Sequence, residues 1–473
     1  MKRWLKIVLL SAGGVFIIVL VVLGWLFVKA APIGSGYVSK YLCTSTFISK
    51  RDPEVVFAED ILPVNPLAKL VSYEIDRDKK TVTSDYLGLF GLTAIYRKEC
   101  GCSLVLNTTA EKMRAQKLIA PGFAKKRVRR RPDKSWPAGS QGPVDPAKMG
   151  LDAGKLKAAV DAAFAEPGPE NLRKTRAVLV VYKGKLVAER YAEGFNKNMP
   201  LLGWSMSKSV TNALVGILVH GGKLDIKAPV GLSVWQQAGD GREKITLDQL
   251  MRMSSGLSFE EVYAPLYDAT YMLYGSYGFG AYAAARPLEV APEAKWHYSS
   301  GSANIVAGVV RKAIQKEHPY YYGFIQEALF NKIGMYSAVL EPDSSGTFVG
   351  SSYALATPRD WARFGLLYLN DGVWQGQRIL PKGWVKYTTT PTPKSERGEY
   401  GAMFWLNAGA AGNPKNRRWP NSPTDAFAAL GFQEQKVIMI PSKKLALVRF
   451  GATTKRDAWN TDEFIVNVIK ALP

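Results

Sequence analysis

A serine and a lysine three residues apart are the first pair in this sequence suited to covalent chemistry. They lie in Trp204-Ser205-Met206-Ser207-Lys208, and apolar residues then recur at the spacing of a buried helix up to position 218. Ser205 is therefore predicted at a helix amino terminus, where free N–H groups stabilise negative charge. Lys208 follows one turn later on the same face, where a desolvated amine can take the serine proton. The alternative is a helix cap at Ser205 and a surface charge at Lys208.

A second polar group, Trp296-His297-Tyr298-Ser299-Ser300, precedes another predicted apolar helix at positions 305 to 314. A phenol beside an ammonium group can relay a proton to a leaving group, so Tyr298 is a candidate for that role. The alternative is a half-buried structural tyrosine, since the chain has 22 tyrosines. His297 adjoins Tyr298 and is interpreted as a local hydrogen-bond partner rather than a general base.

Other catalytic designs lack their signatures in this sequence. It contains no Gly-x-Ser-x-Gly elbow, no His-Glu-x-x-His zinc motif and no Gly-x-x-x-x-Gly-Lys phosphate loop. The three histidines, at 220, 297 and 318, are too scattered for a His-rich metal site. We therefore expect neither a metal nor an organic cofactor.

Residues 147 to 473 supply the elements that must position these groups. β-Prone runs at 177–182 and 185–191 flank a tight Lys-Gly turn, and a second such pair lies at 436–441 and 445–450. Helical patterns fill the middle, and a helix over 462–472 closes the chain. Strands at both ends of a helical middle predict an α+β fold with an antiparallel sheet flanked by helices.

Several short motifs in this unit occur together in one known superfamily. They are Trp204 to Lys208, Gly222-Lys-Leu-Asp225, 245–256, Tyr298-Ser-Ser300, 356–365 and 431–435. In their order and spacing, residues 150 to 470 resemble the serine β-lactamase and penicillin-binding-protein superfamily. The resemblance is closest to the class C-like branch that includes 6-aminohexanoate-dimer hydrolase and related esterases. It implies a β-lactamase-like antiparallel sheet with a helical subdomain.

The resemblance also implies a role for each matching residue. Ser205 would be the acyl-forming nucleophile, Lys208 would activate it, and Tyr298 would pass the proton to the leaving group. Ser300 stands where the family often has asparagine. One oxyanion donor would be the N–H of Ser205, and the other would come from an edge strand near 429–432, with Ala429 and Gly431 as candidates.

Two departures from the family bear on the substrate. The segment 426–431 has no lysine or histidine, although the family's third motif often carries such a cation. Ser300 also replaces the usual asparagine. The groups for acyl transfer are kept, whereas those that recognise a β-lactam are lost. We therefore expect an amidase or esterase rather than an efficient β-lactamase.

An aromatic segment at 259–283 lies between the two polar groups. Its tyrosines could form a lid over an apolar or extended acyl group, or they could pack a local core. The candidates for substrate contact are Tyr263, Tyr267, Tyr271 and Tyr274.

The amino terminus has the pattern of a membrane anchor. Positions 7 to 28 run without a charge after three basic residues, and a helix of that length is about 33 Å long, enough to cross a bilayer core. The basic end predicts a single-pass helix in the cytoplasmic membrane, with the remainder on the periplasmic or extracellular side. The alternative is a long cleaved signal peptide. In an oxidising compartment Cys43 can pair with Cys100 or Cys102, and we favour Cys102.

The full prediction divides the chain of 473 residues into four parts, of which the unit at 147–473 is the last. An anchor at 1–34 precedes a small β-rich unit at 35–110 without recognisable chemistry. A basic, Pro/Gly-rich linker at 111–146 has its charge concentrated at 125–131 and is either a solvated loop or a contact for acidic envelope polymer or lipid headgroups. The basic run at 125–131 contains no interleaved aromatic residue and is expected outside the cytoplasm, so it does not predict a nucleic-acid partner.

The predicted activity is hydrolysis of a small-molecule or peptide-like amide or ester by the unit at 147–473. Two alternatives remain. One is a cell-wall D-Ala-D-Ala carboxypeptidase or β-lactamase. The other is a catalytically silent envelope-binding module that uses the basic segment and the aromatic segment.

Overall fold

A computed structural model describes residues 2–123 and 133–473, so the predicted basic run at 125–131 lies outside the described residues. The helices are α1 (Lys2–Thr44), α2 (Pro53–Val56), α3 (Ala110–Arg114), α4 (Ala153–Phe164), α5 (Ser207–His220), α6 (Ser233–Gln236), α7 (Leu247–Met251), α8 (Asp268–Gly275), α9 (Phe279–Ala284), α10 (Ser300–Gln315), α11 (Tyr321–Ile325), α12 (Pro358–Leu369), α13 (Trp384–Thr389) and α14 (Thr461–Ile469).

The strands are β1 (Val71–Asp76), β2 (Thr81–Tyr86), β3 (Leu89–Arg97), β4 (Gly101–Leu104), β5 (Thr175–Tyr182), β6 (Lys185–Tyr191), β7 (Leu201–Leu202), β8 (Val339–Leu340), β9 (Ala354–Ala356), β10 (Val373–Trp374), β11 (Gln377–Arg378), β12 (Trp405–Leu406), β13 (Phe427–Gly431), β14 (Gln435–Ile440) and β15 (Leu445–Gly451). They form two principal sheets, of four and six strands.

The larger sheet has the strand order β12-β13-β14-β15-β5-β6, and all its neighbours are antiparallel. Every residue of β5 and β15 is buried because both faces of the sheet are covered. Side chains such as Val178 and Val180 face a core with α4 and α14, whereas Leu179 and Val181 face the main core with α12. This arrangement confirms the predicted α+β fold.

Helices and loops fill most of the chain between β6 and β12, as predicted, and the short strands β7 to β11 lie among them. Helix α5 is buried along most of its length and packs against α10, which also contacts α7 and α9. The amino ends of α5 and α10 therefore come close to each other and to the open edge of β13, which is where the candidate chemistry lies.

Helix α1 has two halves in different surroundings. The apolar side chains up to Val28 that the structure describes are exposed, and this half is long and apolar enough to cross a membrane. Membrane-spanning helices and signal sequences share these properties. From Ala31 onward the same helix is buried against β2, β3 and α8. The predicted boundary at 34/35 thus lies inside one continuous helix.

The four-stranded sheet is a meander, β1-β2-β3-β4, that packs on the second half of α1. A disulfide between Cys43 and Cys102, whose Cα atoms are 6.0 Å apart, joins α1 to β4. Cys100 is a buried free thiol, and burial raises its pKa to about 12. The thiol therefore stays protonated and poorly reactive at neutral pH.

Buried ion pairs connect this amino-terminal segment to the hydrolase-like unit. Lys40 of α1 pairs with Glu341, which also accepts from the Thr44 hydroxyl at 2.9 Å and from the Cys102 N–H at 2.6 Å. Asp60 pairs with Arg51 and with Arg176 of β5. The amino-terminal segment is therefore packed as part of one body with the rest of the described chain.

Candidate active site

A tight turn that immediately precedes helix α5 holds Ser205. The turn is fixed by Ser207, whose hydroxyl donates to the Trp204 carbonyl at 2.7 Å and accepts from the Ala354 N–H at 2.8 Å. Trp204 has a φ of 48°, an unfavourable left-handed value that its neighbours hold in place. Ser205 remains partly exposed at the mouth of this turn.

Lys208 lies on the first turn of α5 and its side chain is almost fully buried. Its Nζ donates to the Ser205 Oγ at 3.1 Å, to the Ser300 Oγ at 3.0 Å and to the Ser351 carbonyl at 3.2 Å. All three acceptors are neutral, and among the described residues no carboxylate forms an ion pair with Nζ. A buried amine in hydrogen-bond contact with a partly exposed serine hydroxyl has the geometry of a nucleophile and its base.

Tyr298 completes the predicted trio. Its ring centroid lies 4.7 Å from the Lys208 Nζ. The ring is held by Trp405 at 5.2 Å and by Tyr400 at 5.6 Å between centroids. The structure thus brings Ser205, Lys208 and Tyr298 together, from parts of the sequence nearly a hundred residues apart.

A carboxylate that the sequence analysis missed, Glu261, lies at the amino end of helix α10. It accepts from the Ser300 N–H at 2.6 Å and from the Ser300 hydroxyl at 2.5 Å. The Tyr263 hydroxyl donates to the same carboxylate at 2.8 Å. Negative charge is favourable there because of the helix dipole and the free N–H groups. Glu261 thus orients Ser300, whose oxygen faces Lys208.

Strand β13, which is predicted to supply an oxyanion donor, runs beside the turn that holds Ser205. Gly431 passes so close to Gly203 that a Cβ on Gly431 would lie 2.1 Å from the Gly203 carbonyl oxygen, which explains the glycine. Next to strands β12 and β13, the Asn407 N–H donates to the Ala426 carbonyl. Because successive peptide groups of a strand point in opposite directions, the N–H and C=O groups of even-numbered residues in β13 point towards β12.

This alternation changes the choice of donor in β13. Ala429 and Gly431 direct their N–H groups towards Val437 and Gln435 of β14, in the interior of the sheet. Leu430 lies beyond the residue where β12 pairs with β13, so its N–H faces the open edge. The register therefore favours an even-numbered position such as Leu430 over both sequence candidates as the edge donor.

The four candidate substrate tyrosines occupy different places. Tyr263 reaches the site, with its hydroxyl 3.4 Å from the Ser300 Oγ and its side chain largely exposed. Tyr267 and Tyr271 are on the surface, and Tyr271 packs on Tyr282. Tyr274 is buried against Tyr37 of α1 and belongs to the core. The aromatic segment therefore contributes one side chain to the site and another to packing.

Two further features concern what the site can hold. A cavity of about 30 Å³ lies behind Trp204, between it and residues such as Tyr41 and Thr44, and its volume suits water molecules rather than a substrate. In the part of the chain that the structure describes, no three His, Cys, Asp or Glu side chains form a cluster suited to a metal ion.

Comparisons with known proteins identify the family. The family description Beta-lactamase matches residues 160–466. A 6-aminohexanoate-dimer hydrolase from Paenarthrobacter ureafaciens is 23% identical over 261 residues, which is 50% of this chain and 66% of that protein, slightly less than two thirds of its length.

Solved structures show the same fold. A Bacillus anthracis protein provisionally assigned as a 6-aminohexanoate-dimer hydrolase has a TM-score of 0.52 and 23% identity, over 67% of this chain and 80% of that one. A family VIII carboxylesterase has a TM-score of 0.52 and 14% identity, over 70% and 98%. These matches confirm the predicted resemblance, and the chain belongs to the β-lactamase family of hydrolases.

Proposed function

We propose that this protein is a membrane-anchored serine hydrolase that cleaves an amide or ester bond through an acyl-enzyme on Ser205. The observation that carries the proposal is the bond between the buried Lys208 amine and the Ser205 hydroxyl, at 3.1 Å. A buried lysine normally requires an opposite charge. Among the described residues, the hydrogen-bond acceptors of Lys208 are all neutral, and one of them is the candidate nucleophile.

The first half of the reaction forms the acyl-enzyme. The Ser205 Oγ bonds to the substrate carbonyl carbon as its proton passes to the Lys208 Nζ. The N–H groups of Ser205 and Leu430 stabilise the negative charge that develops on the carbonyl oxygen. When the C–N or C–O bond breaks, the proton passes from Lys208 through Tyr298 to the leaving nitrogen or oxygen.

The second half regenerates the enzyme. Water attacks the acyl carbon, its proton returns through the same groups, and the carboxylic acid product leaves as the Ser205 Oγ regains a proton. Glu261 acts by holding Ser300 in place, so that the Ser300 oxygen faces Lys208 throughout the cycle. It is a positioning residue in this account.

An amidase or esterase fits the site better than an efficient β-lactamase. Strand β13 has no lysine or histidine for a β-lactam carboxylate, and Ser300 with Glu261 occupies the place where the family often has asparagine. The similarity to a 6-aminohexanoate-dimer hydrolase and to a carboxylesterase supports the same choice.

Location outside the cytoplasmic membrane is the second part of the proposal. The exposed, apolar half of α1 follows the basic residues Lys2, Arg3 and Lys6, an arrangement that retains the amino terminus in the cytoplasm. The disulfide between Cys43 and Cys102 suits an oxidising compartment. Both features favour a hydrolase domain on the periplasmic or extracellular side.

Turnover of three chromogenic substrates by the full chain in detergent tests the activity. A p-nitrophenyl ester, a p-nitroanilide of 6-aminohexanoate and a chromogenic cephalosporin separate esterase, amidase and β-lactamase activity. We expect turnover of the ester or the anilide, abolished in Ser205→Ala. Preferred turnover of the cephalosporin would replace the proposal with the β-lactamase alternative. No turnover of any of the three, on folded protein, would favour the silent binding module.

A further inference from the structure

The exposed half of α1 ends beside the tip of a β-hairpin. Phe27 packs edge-on against Tyr86 and Phe90, with both ring centroids 5.9 Å away. Phe27 is the next-to-last residue of the uncharged run, so it lies near the end of the predicted membrane span. The turn between β2 and β3 therefore lies level with that end.

The direction of β3 fixes which end of the small sheet faces the exposed half of α1. Phe90, near the start of β3, contacts Phe27, and Tyr96, near its end, contacts Phe47 at 5.5 Å. Strand β3 thus runs alongside α1 in the same direction. Its starting end, with the β2–β3 turn, points towards the apolar half of the helix.

Leucines are exposed at this end of the sheet. Leu87 and Leu89 are 71% and 60% exposed at the β2–β3 turn. Leu67 and Leu70 are also exposed and directly precede β1, whose first residue pairs with Tyr86. We refer to these four residues, Leu67, Leu70, Leu87 and Leu89, as the leucine edge.

The sequence of the turn is unusual for a surface in water. Leu87 and Gly88 both have positive φ, of 54° and 75°, the conformation of a two-residue hairpin turn. Such turns favour asparagine or aspartate followed by glycine, yet this one has an exposed leucine. The opposite end of the sheet has the polar turn Arg77-Asp78-Lys79-Lys80. The exposed leucines thus lie at one end of the small sheet, and the charged turn 77–80 lies at the other.

We propose that the leucine edge inserts into the interfacial layer of the lipid bilayer beside helix α1. This inference rests on the membrane anchoring proposed above. The occupant is lipid, because the edge is continuous with the exposed apolar half of α1 through Phe27. Apolar side chains of interfacial segments reach about 5–10 Å into the boundary between headgroups and acyl chains. Exposed Lys69, within the edge, is placed to contact lipid phosphates.

Contact of the leucine edge with lipid, in addition to the spanning half of α1, fixes the orientation of the domain at the membrane. A single helix leaves the attached domain free to tilt about its point of exit, whereas a helix and a hairpin tip together restrict that tilt. Because α1 is continuous into the core through Lys40 and Cys43, the position of the active site relative to the bilayer is then restricted as well.

Depth-dependent fluorescence quenching of the full chain tests the proposal. Single variants Leu89→Cys, Asp78→Cys and Leu20→Cys, labelled with an environment-sensitive fluorophore, are reconstituted in phosphatidylcholine and phosphatidylglycerol vesicles that contain nitroxide lipids. Asp78 is the matched control, exposed at the opposite end of the same sheet. Cys100 is buried and the other native cysteines are disulfide-bonded, so the label goes to the introduced thiol.

We expect strong quenching and a blue-shifted emission at positions 20 and 89, and neither at 78. Quenching at 20 but not at 89 would overturn the inference and leave the anchor intact. Quenching at neither position would overturn both the inference and the membrane anchoring. If Leu89→Cys does not fold, Leu67→Cys reports on the same edge and the same outcomes apply.

Discussion

Two buried lysines, Lys40 and Lys208, lie on either side of the segment 351–353 and have opposite surroundings. Lys40 pairs with Glu341, a fully buried carboxylate, and its Nζ lies 4.0 Å from the ring centroid of Tyr353. Among the described residues, the hydrogen bonds of the Lys208 Nζ go to hydroxyl and carbonyl oxygens, including the carbonyl of Ser351, and none goes to a carboxylate. One lysine is compensated by a charge, and the other faces a partly exposed serine.

A charged partner is typical of a structural lysine, whereas neutral partners beside a serine hydroxyl suit proton transfer. A buried ion pair holds two segments together but adds little net stability, because removing both charges from water costs about as much as their attraction returns. Burial raises the pKa of Glu341, which reflects that cost. A lysine with neutral neighbours can instead exchange a proton without leaving an unpaired carboxylate.

The largest effect is expected at Lys208. Lys208→Met removes the proton acceptor for Ser205, and we expect a loss in kcat of about a thousandfold or more, within the range of general acid–base catalysis. The free energy of unfolding should change little, because no buried partner charge is left behind. Steady-state kinetics and chemical denaturation measure the two quantities. Near-normal kcat in the folded variant would show that Lys208 is not the base.

The opposite pattern is expected at Lys40. Lys40→Met leaves the Glu341 carboxylate buried without its partner, which costs about 3–5 kcal/mol of stability. Activity per folded molecule should be retained. The double variant Lys40→Met with Glu341→Leu serves as the control and should recover most of the stability. If the double variant is as unstable as Lys40→Met, the ion pair stabilises the fold by more than neutralising the buried Glu341 charge.

A smaller effect on catalysis is expected at Glu261. Glu261→Gln weakens its two bonds to Ser300, and hydrogen bonds to charged groups are worth about 1.5–3 kcal/mol, or roughly ten- to a hundredfold in kcat. KM should change less than kcat, and Ser300→Ala should reproduce the loss. Glu260→Gln, at the adjacent exposed position, is the control. Equal losses of kcat in Glu261→Gln and Glu260→Gln would show that Glu261 does not act by positioning Ser300.

The smallest effect is a pH dependence at a third buried lysine, Lys436. Burial, together with nearby arginines, outweighs the attraction of Glu434 and lowers the pKa of Lys436 to about 8. Between this value and the unfolded pKa near 10.4, the unfolded state binds more protons, so stability rises with pH by up to about 1.4 kcal/mol per unit. Denaturation at pH 7.5 and 9.5 should show this rise, and Lys436→Met should flatten it. A fall in stability with pH, relative to Lys436→Met, would contradict the prediction.

The sequence was sufficient for the fold class and the family. The motifs around Ser205 and Tyr298 each adjoin a helix whose apolar spacing is regular, and the two terminal hairpins have continuous apolar strands. Such local patterns predict α5, α10 and the central sheet directly. The comparisons confirm both the family and the fold. The roles of the site residues remain predictions.

The second half of α1 could not be predicted from local pattern. Residues 30 to 44 contain Pro32, Gly34 and Gly36, which normally indicate a loop. The glycines are needed for close packing: a Cβ on Gly34 would lie 2.6 Å from the Tyr86 hydroxyl, and one on Gly36 would lie 3.1 Å from the Tyr274 carbonyl. Tertiary contacts therefore override the helix-breaking tendency of these residues.

Glu261 and Leu430 were missed for related reasons. Glu261 lies in an aromatic segment and reaches Ser300 only through the folding of the chain, 39 residues apart. The choice of Leu430 as a candidate rests on the direction of its N–H, which depends on the register with β12 and β14 rather than on its side chain. Neither property is encoded in residue type and spacing.

The most direct test of the central claim is the covalent labelling of Ser205. The full chain in detergent is treated with a fluorophosphonate probe, and its intact mass is compared with that of Ser205→Ala and Lys208→Met. We expect one stoichiometric adduct on the wild-type protein, mapped to Ser205 by peptide analysis, with none on Ser205→Ala and slow formation on Lys208→Met. An adduct that persists in Ser205→Ala, or the absence of any adduct on folded wild-type protein, would show that Ser205 is not the nucleophile.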